Sequence, residues 1–264
     1  MSVNLPFQDT LLMLTFTLPR MTAALSVSPF FGSQFIQGMA RQVVIISLTL
    51  VAVPIVAFTS SPGDLASKSG LAFGVIVAKE IALGLILGYV SGLVFWIAEG
   101  TGFFIDNQRG SSMAEVQDPV SDSSTSPFGL LLTKIVAVLF FVGGGFHAFL
   151  ILLYESYRLW PVFSYFPSFH PELPAAALGI LDGIMGFIVL FSAPLILAMF
   201  LAEFGLGLMN RFSPQLNVFF LAMPVKSAIA SVLIVLYLGI LTGLLQDQFV
   251  NREKMQVFFQ ALFQ

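Results

Sequence analysis

The sequence of 264 residues is 57% hydrophobic and only 9% charged, with a net charge of -3, whereas an ordinary soluble domain carries about 25% charged residues. Its mean hydropathy of +0.94 describes a membrane protein, and basic residues scattered singly exclude nucleic acid as a partner. The lack of cysteine excludes thiolate metal sites and disulfide staples.

In chain order, the opening MSVNLPFQDTLLMLTFTLPR has no basic region and no small-residue cleavage site, so it reads as a first span rather than a removable signal peptide. A bilayer-crossing helix needs about 20 mainly apolar residues. By that measure residues 10–28 form a weak span broken by Pro19 and Arg20. Residues 42–63 form a clear one, and 71–98 another, interrupted by Lys79 and Glu80. Residues 135–154, 183–202 and 227–246 complete about six predicted apolar helices. Basic residues do not orient them: Arg41, Arg109 and Arg211 fall on one set of alternate loops, and Lys68, Arg158, Arg252 and Lys254 on the other. The expected fold is an all-α membrane protein, residues 1–264 forming a single embedded domain. The tail, 246–264, carries an apolar stripe at 255, 258, 259, 262 and 263, predicting an amphipathic helix for the interface or a partner.

Within the third segment Gly84, Gly88 and Gly92 recur every four residues, with Glu80 on the same stripe one turn earlier. Such a ridge admits another backbone closely, either within the bundle or from a neighbouring subunit. Gly239 and Gly243 repeat the spacing in the last span. Lys79, Glu80, Lys134, Asp182, Glu203 and Lys226 lie in or beside apolar segments, where a charge costs roughly 2.5–3.5 kcal/mol to insert. They must pair internally, line a wet path or meet other subunits. Lys79 and Glu80 point about 100° apart on a helix, so each is expected to be answered from other helices.

No catalytic constellation is visible. His147 and His170 form no HExxH arrangement, and Ser91 has no surrounding motif that would build an oxyanion hole. His147, after three glycines that permit a bend, is expected to bond to a neighbouring helix rather than relay protons. No glycine loop cradles a phosphate, so neither ATP nor any other cofactor is expected.

Two polar clusters remain. GFFIDNQRGSSMAEVQDPVSDSSTSPFG (102–129) is longer than a plain connection requires. Asp106, Asn107, Gln108, Arg109, Ser111 and Ser112 offer many hydrogen bonds, Gly110 can turn the backbone, and Asp118 and Pro119 disfavour helix. Ser126 and Pro127 then supply an N-cap and first helical residue for the next span. The second cluster, NRFSPQLNVFFLAMPVKS (210–227), places Arg211, Gln215, Asn217 and Lys226 around Pro214 and Pro224, which are expected to interrupt helix.

These clusters, in this order along the whole chain, resemble the SctT family of the type III secretion export apparatus, the injectisome counterpart of flagellar FliR. The DNQRG run is similar to the injectisome branch. The resemblance implies an inner-membrane export-gate subunit built of bent hairpins, assembled with SctR- and SctS-like subunits beside SctU- and SctV-like components and embedded in lipid. Unfolded secreted proteins would pass through its centre, and Asp106 to Pro119, including Met113, would form a pore plug. Glu80, Gly84, Gly88, Gly92, Arg211, Pro214, Gln215, Asn217, Pro224 and Lys226 would then serve subunit packing. The alternative is a secondary transporter whose Lys79, Glu80, Asp182 and Glu203 form a midplane ion or substrate site.

Overall fold

The computed structural model describes residues 7–31, 38–59, 70–110, 126–164, 173–212 and 218–245. All their regular structure is helical: α1 (Phe7–Val27), a 3-10 turn (Pro29–Phe31), α2 (Gly38–Thr59), α3 (Gly70–Arg109), α4 (Pro127–Val142), α5 (Gly145–Leu159), α6 (Leu173–Phe212) and α7 (Val218–Leu245). Five of these helices are long and apolar enough to cross a membrane, and α4 with α5 count as a sixth, broken span. The tail at 246–264, along with His170, lies outside the described residues.

Several boundaries differ from the hydropathy reading, each for a local reason. α3 and α6 run 40 residues apiece, roughly 60 Å if straight and twice a hydrocarbon core. Charge-free runs mark only the apolar middle of such a helix. α3 continues through FFIDNQR because Thr101, Gly102, Ile105 and Asp106 share a buried face while Phe103, Phe104 and Asn107 face out, a helical period that survives the change in polarity. It ends where Gly110 takes φ +85°, a left-handed conformation that suits glycine at a helix C-terminus. The expected span 135–154 is broken: Gly143 caps α4, and Gly144, at φ +80°, opens α5. Pro224, by contrast, lies inside α7 and does not interrupt it. A proline deprives only the carbonyl one turn earlier of its amide partner, and an otherwise strongly apolar helix tolerates that single loss.

The chain divides into two compact units. The first holds α1, the 3-10 turn, α2, α3 as far as Leu93, α5 and the turn after it. α2 packs against α1 and α5. A Cβ at Gly84 would collide with the Arg20 carbonyl, and one at Gly88 with the Ala24 carbonyl. The ridge therefore packs against α1 of the same chain, the first of the two uses its spacing allows. Phe30 stacks edge-on against Phe149 at 5.3 Å, and Phe16 lies against Phe73 and Phe163, filling this core with aromatic surface.

The second unit holds α3 from Val94, α4, α6 and α7. α6 and α7 pack along one another, and α4 touches α7. α3 and α4 meet backbone to backbone, since a Cβ at Gly102 would collide with Gly129. Phe95 and Phe140 seal the same contact at 5.3 Å. Elsewhere this unit is open: only 28% of the α6 span and 17% of the α7 span is buried.

Candidate functional site

Polar groups concentrate in two places, one in each unit. In the first, Arg20 of α1 is wholly buried, as is Glu80 of α3. The guanidinium grips the carboxylate through two bonds of 2.7 and 2.8 Å, the bidentate geometry in which arginine is strongest. Its remaining donors reach Ser156 Oγ and the Trp160 carbonyl, and Tyr157 lies face-on 4.3 Å from it. Lys79 donates to the carbonyls of Pro161, Val162 and Ser164 at 2.9–3.0 Å. It also sits 2.9 Å from Glu80 Oε1, so the two neighbours, expected to be poor partners, do pair, although each is also answered from elsewhere in the chain. Their Cβ vectors do diverge, but the four-carbon lysine stem is long enough to curl back. Two cations thus hold the carbonyls of the turn that follows α5, and one carboxylate lies between them. Arg20 is absent from the sequence-derived site; its only signal there was an arginine interrupting an apolar run.

The second cluster forms where the polar segment leaves α3 and enters α4. Asp106 is 2% exposed and accepts hydrogen bonds from Ser126 Oγ and from the Phe128 amide, the latter at 2.9 Å. Ser126 also accepts from the Gly129 amide at 2.9 Å, so it caps α4 as its position before Pro127 predicts. Arg109 pairs with Asp106 at 2.6 Å, lies over the Phe128 ring at 4.4 Å and donates to Ser227 of α7 at 3.2 Å. Gly110 lies beside Met223 of α7. The cluster can form because Gly102 and Asp106, four residues apart, lie on one side of α3 and turn it toward α4. Gly102 is the member that a motif search passes over, its small-xxx-acid spacing with Asp106 being the available signal; Ser126 was expected only as a cap.

The other sequence-derived residues are dispersed. Asn107 is exposed and Gln108 half-buried. Ser111, Ser112, Met113, Asp118 and Pro119 lie outside the described residues, as do Pro214, Gln215 and Asn217. Gly92 is buried in α3, Arg211 is exposed at the end of α6, and Pro224 is exposed in α7. Lys226 bonds Glu203 across the last hairpin at 3.1 Å, leaving the glutamate side chain 47% exposed. Gly239 and Gly243 face open space. His147 is exposed, and the expected bond to a neighbouring helix is not made among the described residues. Ser91 is buried and donates to the Gly88 carbonyl, which leaves it no dyad with His147.

Asp182 and Glu203, two of the four residues of the alternative transporter site, are not brought together. Asp182 and Glu203 lie on one helix, 21 residues or roughly 30 Å apart. Lys79 and Glu80 meanwhile spend their charges within their own unit.

This architecture defines an α-helical membrane protein with several apolar helices, buried ion pairs and a carboxylate on α3 bonded to the start of α4. Residues 11–251 match the family described as bacterial export proteins, family 1. Over 231 residues, 87% of both chains, the sequence is 43% identical to the Yop proteins translocation protein T of Yersinia pestis. It is 35% identical over 155 residues, 58% of both chains, to the secretion system apparatus protein SsaT of Salmonella typhimurium. It is 29% identical over 173 residues, 65% of this chain and 66% of that one, to the flagellar biosynthetic protein FliR of Bacillus subtilis. The chain belongs to this family of bacterial export proteins, in its SctT branch, and is a component of a type III secretion export apparatus.

Proposed function

We propose that this chain is an inner-membrane export-gate subunit, forming with SctR- and SctS-like subunits, beside SctU- and SctV-like components, a channel through which unfolded secreted proteins pass. One observation carries the reading. The apolar helices α4 and α6 expose Lys134, Asp182 and Glu203 among open leucines and phenylalanines such as Leu181, Leu201 and Phe204. Hydrocarbon penalises exposed charge, so these faces suit other polypeptides and water better than lipid. Arg20, Lys79 and Glu80 are buried against one another, whereas Glu203 stays half exposed even with Lys226 beside it.

Residues 106–119 act as the pore plug in this reading, a polar segment between apolar helices that exchanges hydrogen bonds with its surroundings when the channel is shut. The test is to co-express the chain with its small hydrophobic companions, purify the complex and reconstitute it in liposomes. Complexes lacking 111–119 should assemble and leak small ions, whereas a tight deletion variant refutes the plug. A chain that purifies alone as a stable monomer and binds none of the companions refutes the gate-subunit reading itself.

A further inference from the structure

We infer that the DNQRG motif is divided by role: Asp106 and Arg109 are positioning residues that staple the helix ends framing the polar segment, and Asn107 and Gln108 are left to contact groups beyond this chain. The inference rests on the conduit reading above and assigns to Asp106 and Arg109 a task other than lining the passage.

The geometry favours the division. Asp106 is buried and receives Ser126 Oγ and the Phe128 amide from the start of α4. The chain leaving α3 is thereby fixed to the chain entering α4, on opposite sides of a 20-residue sequence gap. Arg109 adds a third element, bridging Asp106, the Phe128 ring and Ser227 of α7. An ionised carboxylate bonded to a backbone amide and a hydroxyl, with a guanidinium alongside, is a strong and directional joint. The backbone contact of Gly102 with Gly129 leaves no slack one turn below it. Asn107, about 100° further round the helix, is exposed, and Gln108 is half-buried. Groups so thoroughly engaged inside the unit cannot also exchange partners with passing cargo, whereas Asn107 and Gln108 can.

The chain lacks cysteine, which permits a direct test in the reconstituted complex. Asp106→Asn should raise ion leakage several-fold, approaching deletion of 111–119, and should also lower the melting temperature of the complex, because Arg109 keeps its charge without the carboxylate. Ser126→Ala, which removes one of the two donors, should leak to an intermediate extent and covers the case in which Asp106→Asn does not assemble. An Asp106→Cys/Ser126→Cys pair should leak when reduced and reseal when bridged by a short bifunctional thiol reagent, since a covalent staple replaces the bond without restoring the carboxylate. Asn107→Ala should alter secretion yet leave stability and the staple intact. Asp106→Asn and Ser126→Ala complexes as tight as wild type, beside a leaking deletion variant, overturn the staple alone. A tight deletion variant removes the plug reading, and the staple's role falls with it.

Discussion

Glu80→Gln is the most demanding perturbation of the buried network. The substitution keeps the shape of the side chain and removes its charge, so two buried cations, Arg20 and Lys79, lose the single carboxylate between them. Neither can turn to water, because the Arg20 side chain is 0% exposed and that of Lys79 6%. Removing one partner of a buried pair costs roughly 3–5 kcal/mol, chiefly because the survivor stays uncompensated. Lys79→Met is gentler: it leaves Arg20 and Glu80 balanced one to one, the part-buried carbonyls of Pro161 and Ser164 can take water, and only the buried Val162 carbonyl is stranded, at roughly 1–3 kcal/mol. Arg20→Met/Glu80→Met removes both ends of the bidentate pair and should recover much of the single-variant loss. Thermal unfolding of the purified complex in detergent reads these effects at about 2–4 °C per kcal/mol for a chain of this size. The expected order of stability is wild type, Lys79→Met, the double variant, then Glu80→Gln. A Glu80→Gln complex melting within about 2 °C of wild type, or a double variant no better than the single, would refute the claim that the network is held by charge balance.

Other outcomes follow from close contacts. Gly84→Leu should abolish accumulation of folded chain in membranes, because even a Cβ there meets the Arg20 carbonyl; Gly74→Leu, which faces open space, serves as the control. Gly110→Ala forces a side chain into φ +85° and should destabilise by about 1–2 kcal/mol in the same melting assay. Lys226→Ala should cost no more than about 1 kcal/mol in the isolated chain, since its partner Glu203 is half exposed. A much larger loss seen only in the assembled complex would place that pair at a subunit contact.

The sequence by itself determined the class. Long runs without charge can satisfy their backbone in hydrocarbon only as helices, and the order of DNQRG and SPQLN clusters along those runs marked the family. It also determined local punctuation, because Ser126 and Pro127 start a helix, and Gly110 and Gly144 turn the backbone, by chemistry confined to a few neighbouring atoms. Tertiary structure alone decided the partners. Arg20 looked like a flaw in a weak first span until α3 brought Glu80 against it, and Asp106 looked like loop until α4 supplied Ser126 and the Phe128 amide. Hydropathy counts charges along the chain, whereas the cost of burying one depends on what stands within about 3 Å of it in space, and residues 60 or 136 positions apart supply that answer.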